Sequence, residues 1–313
     1  MEDYYKEYGG AVLATTFDKY CYHIMRYYPP FFDHKGQLTY SQIEQFNVPE
    51  DIDHPAVREA LRKYDMLDVQ ITYDADLPAR SGLGTSSAFA VGLLNGLHSL
   101  RGEFVDKMDL ALEAIHLERE LCREAGGVQD QLECSFGGLN RMSFHSDGFD
   151  VSPVIMPNRR KREFSDHLLL FFTGFVRFSS EIADEQIGNI RKKLEQLHEM
   201  VGLVDEGVNI LTGMGELTEF GRLLDYAWSL KRSLASQISN DDLDALYERA
   251  KKAGAIGGKI LGAGGGGFML LFVEPDKKQQ VIEAMKGLLH VPFSLERGGT
   301  KVIYYKSEER MER

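Results

Sequence analysis

The segment from Pro78 to Ala88 constrains the fold most strongly, because it concentrates glycines and hydroxyl residues where a strand is followed by a helix. It reads Pro-Ala-Arg-Ser-Gly-Leu-Gly-Thr-Ser-Ser-Ala. Glycines let the backbone curl, and hydroxyls and amides at the start of a helix can surround a phosphate group. An ordinary loop in which Ser or Thr caps the helix has the same composition, so both interpretations stay open.

Two common nucleotide motifs do not describe this segment. It lacks the Gly-Lys-Ser/Thr ending of a Walker A loop. Residues 82–84 begin a dinucleotide fingerprint, but Ser87 stands where its last glycine should be. The flanking residues predict a strand over Asp68–Tyr73 and a helix over about Ser86–Leu100. The functional hypothesis is therefore a phosphate-binding turn between a strand and a helix.

A second glycine-rich run covers residues 257–267 and ends in four consecutive glycines, Gly264–Gly267. Four consecutive glycines lose much conformational entropy when they become ordered. The usual reason for such a run is that another segment or a ligand approaches the backbone closely. A flexible linker is the alternative. The apolar residues Phe268–Val273 follow at once and predict a buried strand, which favours an ordered turn.

Three acidic residues lie between these runs and could take part in catalysis. Asp130 follows a Gly-Gly turn at a predicted helix start, where a capping role explains an aspartate equally well. Glu118 and Glu120 lie on the preceding helix, and both could belong to a solvated face beside Arg119 and Arg123. None of the three is distinctive by itself.

Composition restricts the class of protein. The chain has 313 residues, of which 27% are charged and 43% hydrophobic, as in a globular protein. A formal charge of −12 argues against a broad basic surface for nucleic acid or anionic membranes. The longest apolar runs are far shorter than the roughly 20 residues that span a bilayer. Three cysteines without paired spacing predict neither disulfides nor a cysteine zinc site, which suits a reducing cytoplasm.

The order of patterns predicts an α+β protein with two domains. Residues 157–162 combine a proline with a charge run and are interpreted as a linker. We therefore place the domains at residues 1–158 and 159–313. The second half is mostly helical from about Ser180 to Ala253, and it is expected to end in a strand near Lys301–Tyr305.

Taken together, the Gly/Ser loop, the acid-bearing helix, the Gly-Gly-x-x-Asp turn and the late glycine run resemble the GHMP kinase superfamily of small-molecule kinases. Five segments are most similar to its heptose 7-phosphate kinase branch: residues 8–12, 127–131, 136–138, 173–177 and 259–268. The resemblance implies an N-terminal mixed sheet with helices, like domain 2 of ribosomal protein S5, and a ferredoxin-like C-terminal domain of helices and sheet. Members of this branch begin with a further strand and a sugar-binding Thr-Asp, which this sequence lacks at its start.

The resemblance also implies roles for individual residues. Asp130 matches the acid near the acceptor hydroxyl, as a base or as an electrostatic orienter. Ser86 and Glu118 match the Mg²⁺ ligands, with Glu120 as the fallback for Glu118. The ATP phosphates would be held by Gly82, Leu83, Gly84, Thr85, Ser86 and Ser87. A glycine motif close to the phosphates or the substrate would comprise Gly262, Ala263, Gly264, Gly265, Gly266 and Gly267.

The activity that the resemblance implies is transfer of phosphate from MgATP to the anomeric hydroxyl of a sugar. Heptose 7-phosphate would give the 1,7-bisphosphate, in the synthesis of activated heptose for surface polysaccharide. Two alternatives remain open: a sugar 1-kinase for fucose or galactose, and a sugar or nucleotide sensor without turnover. A small-molecule sugar phosphate is the expected partner, with neither nucleic acid nor membrane.

Overall fold

The computed structural model describes residues 2–79, 81–124, 126–174, 185 and 188–307. Its contacts divide the chain into two units that are interleaved along the sequence. The first unit contains the described parts of residues 1–18, 80–83 and 138–297, and the second contains those of residues 19–79, 84–137 and 298–313. The two units therefore do not correspond to the two halves of the sequence, because the first strand of the chain pairs with a strand beyond residue 138. The boundary placed at residue 158 stays a prediction.

The first unit has two antiparallel sheets. One has the order β1 (Gly10–Thr15), β6 (Leu139–Phe144), β7 (Phe149–Pro153). The other has the order β11 (Leu289–His290), β8 (Leu168–Phe172), β10 (Phe268–Val273), β9 (Ala255–Ile260). The predicted buried strand after the glycine run is thus β10, whose Phe268, Met269, Leu271 and Phe272 are at most 1% exposed.

Helices cover these sheets. They are α1 (Glu2–Tyr8), α6 (Asn158–Asp166), α7 (Leu194–Thr212), α8 (Thr218–Arg232), α9 (Asp241–Lys252) and α10 (Lys278–Ala284). Among the described residues the predicted helical character from about Ser180 to Ala253 is confirmed. Trp228 on α8 is buried with Tyr247 of α9 in the main core of this unit.

The second unit is built on one mixed sheet, with the order β2 (Cys21–Tyr27), β5 (Val69–Ala75), β3 (Gly36–Thr39), β4 (Ile43–Phe46). Strands β3 and β5 are parallel, and the other pairs are antiparallel. Its helices are α2 (Pro55–Tyr64), α3 (Thr85–Leu100), α4 (Lys107–His116) and α5 (Gln129–Phe136). A π-helical turn, Leu117–Leu121, continues α4.

Helix α3 is held very close to strand β2. Methyl groups placed on Gly92 and Gly96 would lie 2.7 Å from the His23 ring and 2.4 Å from the sulfur of Met25. On the same helix Leu93, Leu94 and Leu97 are at most 1% exposed. Small residues therefore allow the close approach, and the leucines anchor α3 in the core of this unit.

Two sequence interpretations were wrong. The proposed linker, residues 157–162, is the beginning of α6: Pro157 precedes the helix, Phe164 is 4% exposed, and Arg160 donates to the carbonyl of Ile210 at 2.8 Å. The expected strand Lys301–Tyr305 forms no ladder in the described chain, and Ile303 and Tyr304 are 79% and 80% exposed. Neither segment could be assigned from its letters, because a helix packed on distant residues and a strand without a partner both depend on what the rest of the chain places beside them.

Within the described residues no helix is both long enough and apolar enough to cross a bilayer.

Candidate active site

The N-terminus of α3 is formed by a glycine rather than by a capping hydroxyl. Gly84 is the N-cap residue in the left-handed conformation, φ 70°, and as a glycine it has no side chain to cap this end. Gly82 also has a positive φ of 77°. The first backbone N–H groups of a helix have no partner inside it, so this turn presents amide donors at the positive end of the helix dipole. The capping interpretation of the serines is therefore wrong.

Ser86 and Ser87 instead donate to the carboxylate of Glu118. The hydroxyl of Ser86 lies 2.5 Å from Glu118 Oε1, and that of Ser87 lies 2.9 Å from Oε2. The side-chain nitrogen of Gln131 lies 2.5 Å from the same Oε2. Glu118 is only 4% exposed. Three donors from two helices thus stabilise a buried negative charge beside the phosphate-binding turn.

Glu118, and not Glu120, faces the serines, and both lie in the π-helical turn. The backbone N–H of Cys122 bonds to the carbonyl of Leu117 at 2.9 Å, five residues back, which widens the helix here. Glu118 is buried, whereas Glu120 is exposed. The fallback residue is therefore placed away from Ser86.

Asp130 is the second residue of α5 and lies against the turn. A methyl group placed on Gly84 would be 3.4 Å from both Cγ and Oδ2 of Asp130. Val128 is the N-cap residue of α5, and its side chain makes no capping hydrogen bond. Asp130 therefore does not occupy the N-cap position, and its carboxylate is beside the glycine of the turn.

A partly buried thiol also lies beside this glycine. Cys134 Sγ lies 4.0 Å from the carbonyl oxygen of Gly84. Burial raises the pKa of Cys134 well above its usual value, so the group remains a neutral thiol and packs as a small apolar residue.

The late glycine run is an ordered turn, as the following strand predicted. Every glycine among residues 262 and 264–267 has a positive φ, between 70° and 150°. A methyl group on Gly267 would lie 2.3 Å from the carbonyl oxygen of Ser81, and one on Gly82 would lie 3.4 Å from Cα of Gly262. The beginning of the phosphate-binding turn therefore contacts this run directly, and both belong to the first unit.

Two lysines accompany the glycine run. Lys231 on α8 donates to the carbonyl oxygen of Gly262. Lys259 lies on β9 opposite Leu270, and burial lowers the pKa of its ammonium group. Gly257 and Gly258 have a different task, because a methyl group on Gly257 would meet the carbonyl oxygen of Gly221 at 2.0 Å. Gly257 therefore allows α8 to pack on β9, whereas a methyl group on Gly258 would meet the carbonyl oxygen of Leu270 on β10 at 2.4 Å.

The structure thus brings the candidate residues together in two groups. In the second unit Gly84, Ser86, Ser87 and Glu118 surround the start of α3, with Asp130 beside it. In the first unit Gly82 contacts the glycine motif 262–267. Sequence reasoning assigned no role to Gln131 or Lys231. The feature of the sequence that could have identified Gln131 is its position directly after Asp130 in the segment 127–131. Phe175–Arg177 of another quoted motif lie outside the described residues.

The oxygen ligands at this site suit Mg²⁺, which can complete its coordination with waters and substrate phosphates, better than a metal ion that protein side chains must hold alone. In the part of the chain that the structure describes, no group of three or more His, Cys, Asp or Glu side chains could hold a metal ion. Mg²⁺ commonly uses one or two protein oxygens together with waters and substrate phosphates. The Ser86 hydroxyl and the Glu118 carboxylate, with an unpartnered buried oxygen on Gln131 among the described residues, fit that requirement.

A separate cavity of about 550 Å³ lies elsewhere in the second unit. Its lining includes Lys63, His98, Phe104 and Glu113. His98 belongs to the last turn of α3, so the helix separates this cavity from the phosphate-binding turn by roughly 20 Å at 1.5 Å per residue.

Two family models match this chain. The model for the N-terminal domain of GHMP kinases matches residues 53–138, and the model for their C-terminal domain matches residues 208–290. These matches together cover more than half of the chain.

Among curated proteins, the chain is 31% identical over 217 residues to the D-glycero-alpha-D-manno-heptose 7-phosphate kinase of Campylobacter jejuni, covering 68% of this chain and 63% of that protein. It is 30% identical over 211 residues to the L-fucokinase/L-fucose-1-P guanylyltransferase of Bacteroides fragilis, covering 65% of this chain and 22% of that protein. The chain thus spans less than two thirds of the length of either relative.

Solved structures show the same fold. A D-glycero-D-manno-heptose 1-phosphate kinase from Bacteroides thetaiotaomicron has a TM-score of 0.77 at 23% identity, covering 96% of this chain and 93% of that one. The galactokinase of Lactococcus lactis has a TM-score of 0.73 at 17% identity, covering 96% and 92%. The expected α+β fold is thereby confirmed, and the chain belongs to the GHMP kinase family.

Proposed function

We propose that this chain transfers the γ-phosphoryl group of ATP to the anomeric hydroxyl of a sugar, with heptose 7-phosphate as the preferred acceptor. The observation that carries this proposal is the N-terminus of α3, where Gly84 is the N-cap residue, the buried carboxylate of Glu118 accepts from Ser86, and the carboxylate of Asp130 lies beside Gly84. A family built on sugar and other small-molecule kinases supports the reaction class.

Each residue has a defined part in this proposal. The amides of residues 84–87 bind phosphate oxygens, as helix N-termini do. Ser86 and Glu118 would hold Mg²⁺, which when bound neutralises charge on the phosphates. Asp130 orients the attacking hydroxyl and takes its proton. The bond from the γ-phosphorus to ADP breaks as the bond to the sugar oxygen forms.

The glycine motif contacts the beginning of the turn, residues 81 and 82, within the first unit. Its positive φ angles bring bare backbone against Ser81 and Gly82, and Lys231 binds the carbonyl oxygen of Gly262. A side chain at Gly267 would displace the start of the phosphate-binding turn. Phosphoryl transfer depends mainly on such positioning, because little covalent chemistry is left for the protein to perform.

A panel of acceptors tests the substrate. ADP production is coupled to a spectroscopic readout with heptose 7-phosphate, fucose or galactose, and kcat/KM is compared between them. The highest value for heptose 7-phosphate supports the proposal, and the product would then be the 1,7-bisphosphate of activated-heptose synthesis. A higher value for a neutral hexose overturns the choice of acceptor.

A fucose-type sugar 1-kinase is the second candidate, because the fucokinase of Bacteroides fragilis matches over 65% of this chain at 30% identity. Distinguishing it requires the same panel, with fucose as the decisive arm. Tight binding of a sugar or nucleotide by calorimetry, without turnover on any acceptor, would contradict both kinase proposals and indicate a sensor.

A further inference from the structure

Gln131 is a buried polar side chain of the site that the proposed mechanism leaves unused. It is the third residue of α5 and is 3% exposed. Its side-chain nitrogen donates to Glu118 Oε2 at 2.5 Å. Its carbonyl oxygen, Oε1, is buried and has no hydrogen-bond partner among the described residues.

The orientation of this amide is determined by its neighbour. An ionised carboxylate can only accept hydrogen bonds, so the NH₂ group of Gln131 must face Glu118 and the carbonyl must face away. A buried carbonyl without a donor costs about 1–3 kcal/mol. An unpartnered buried oxygen beside a phosphate-binding turn therefore points to a ligand that brings a hydrogen-bond donor.

The two carboxylate oxygens of Glu118 accept different numbers of hydrogen bonds. Oε2 accepts from both Ser87 and Gln131, whereas Oε1 accepts from Ser86 alone. Two donors on Oε2 fix the rotation of the carboxylate. Oε1 is consequently held beside the hydroxyl of Ser86, and these two oxygens are the pair proposed above to hold Mg²⁺.

We propose that Gln131 is a positioning residue for the divalent cation. Its NH₂ group clamps Glu118 so that Oε1 faces Ser86, and its free carbonyl accepts a hydrogen bond from a water carried by the cation. This inference rests on the proposed function for the identity of the site, and it assigns to Gln131 a role in cation binding. Groups that hold a metal ligand in place commonly contribute tenfold to a hundredfold to metal affinity.

The test measures cation binding directly, without turnover. Binding of Mn²⁺ to the full chain in the presence of the non-hydrolysable analogue AMP-PNP is followed by electron paramagnetic resonance of the free ion. Gln131→Met keeps an unbranched side chain of similar length but removes both the donor and the acceptor. We expect its Mn²⁺ affinity to fall about 10- to 100-fold. Affinity for AMP-PNP without metal should stay within about twofold of wild type, which a merely structural defect would not allow.

The matched control is Gln129→Met, two residues earlier on the same helix, where the side chain is exposed. It should bind Mn²⁺ like wild type. If Gln131→Met does not fold by circular dichroism, Gln131→Asn replaces it, because the shorter amide remains polar but cannot span to Glu118. Mn²⁺ affinity within twofold of wild type in the folded variant overturns the inference.

The sugar panel and this titration fail independently. If no sugar is phosphorylated but Gln131→Met still loses Mn²⁺ affinity, the kinase proposal is wrong and the role of Gln131 stands. If a sugar is phosphorylated and Mn²⁺ affinity is unchanged in the variant, the kinase proposal stands and the role of Gln131 is wrong.

Discussion

A buried histidine beneath the phosphate-binding helix makes the stability of this protein dependent on pH. His23 lies on β2, and its ring centroid is 5.1 Å from that of Phe89 on α3 and 5.3 Å from that of Tyr73 on β5. Its Nε2 has no hydrogen-bond partner within the described residues. Burial lowers the pKa of His23 from 6.5 to about 4.

The sign and size of the effect follow from that pKa. The unfolded chain binds a proton at His23 below pH 6.5, whereas the folded chain binds it only below about pH 4. Stability is therefore lost as the pH falls through this window, and it is unaffected by this group above it. The difference of about 2.5 pKa units corresponds to roughly 3 kcal/mol in full, and to about 2 kcal/mol at pH 5.

Tyr73 and Cys21, which face His23, do not titrate between about pH 4 and pH 6.5. Tyr73 from β5 and Cys21 from β2 have pKa values raised by burial, so both stay neutral in acid. His54 stacks on the other side of Phe89, with ring centroids 4.6 Å apart, and burial lowers its pKa as well. Its contribution has the same sign and adds to that of His23.

Urea unfolding followed by far-ultraviolet circular dichroism at pH 7.5, 6 and 5 measures the effect. His23→Leu removes the titrating group, so the loss of stability between pH 7.5 and pH 5 should be smaller than in wild type by about 2 kcal/mol. The control is His116→Leu, at an exposed histidine of the same unit, which should follow the wild-type curve. Parallel pH curves for wild type and His23→Leu would refute the reasoning.

Three further substitutions test the site and its scaffold. Asp130→Asn should lower kcat by about 10²- to 10⁴-fold in the ADP-coupled assay while AMP-PNP affinity by calorimetry stays near wild type, and wild-type kcat would exclude a role in proton transfer. In Gly84→Ala the alanine must adopt a φ of 70°, and its methyl group lies 3.4 Å from the Asp130 carboxylate. We therefore expect a loss of about 1 kcal/mol in stability together with a fall in kcat. Gly257→Ala places a methyl group 2.0 Å from a backbone carbonyl oxygen. The free energy of unfolding should fall by roughly 1–3 kcal/mol or more, and the Tm measured by calorimetry should fall by several degrees. Gly148→Ala, with open space around it, is the control for both glycines, and equal Tm values would contradict the packing argument.

The phosphate-binding turn and the glycine run could be predicted because their requirements are local. Gly82, Gly84 and Gly264–Gly267 all have positive φ angles, which single glycines adopt without the strain that other residues suffer. The apolar run Phe268–Val273 predicted its strand for a similar reason, since its composition alone favours burial.

The charge run at residues 159–162 shows where local patterns mislead. Its side chains indicate solvent, but the segment is helical because Phe164 packs with Phe220 and Phe272 in a core cluster. That contact joins residues more than 50 positions apart. The same limitation applies to Lys301–Tyr305, whose alternation favours a strand although the structure pairs it with no neighbour among the described residues.

By itself the sequence determined where the backbone must bend and which stretches must be buried, because positive φ angles and apolar composition are properties of single residues and short runs. Only the tertiary structure showed that Glu118, and not Glu120, accepts from the serines of α3, and that Gly84 rather than a serine is the N-cap residue of that helix. Those outcomes depend on a π-helical turn and on the packing of three helices. The partners come from residues 13 to 32 positions apart, and no local pattern records which of them will meet.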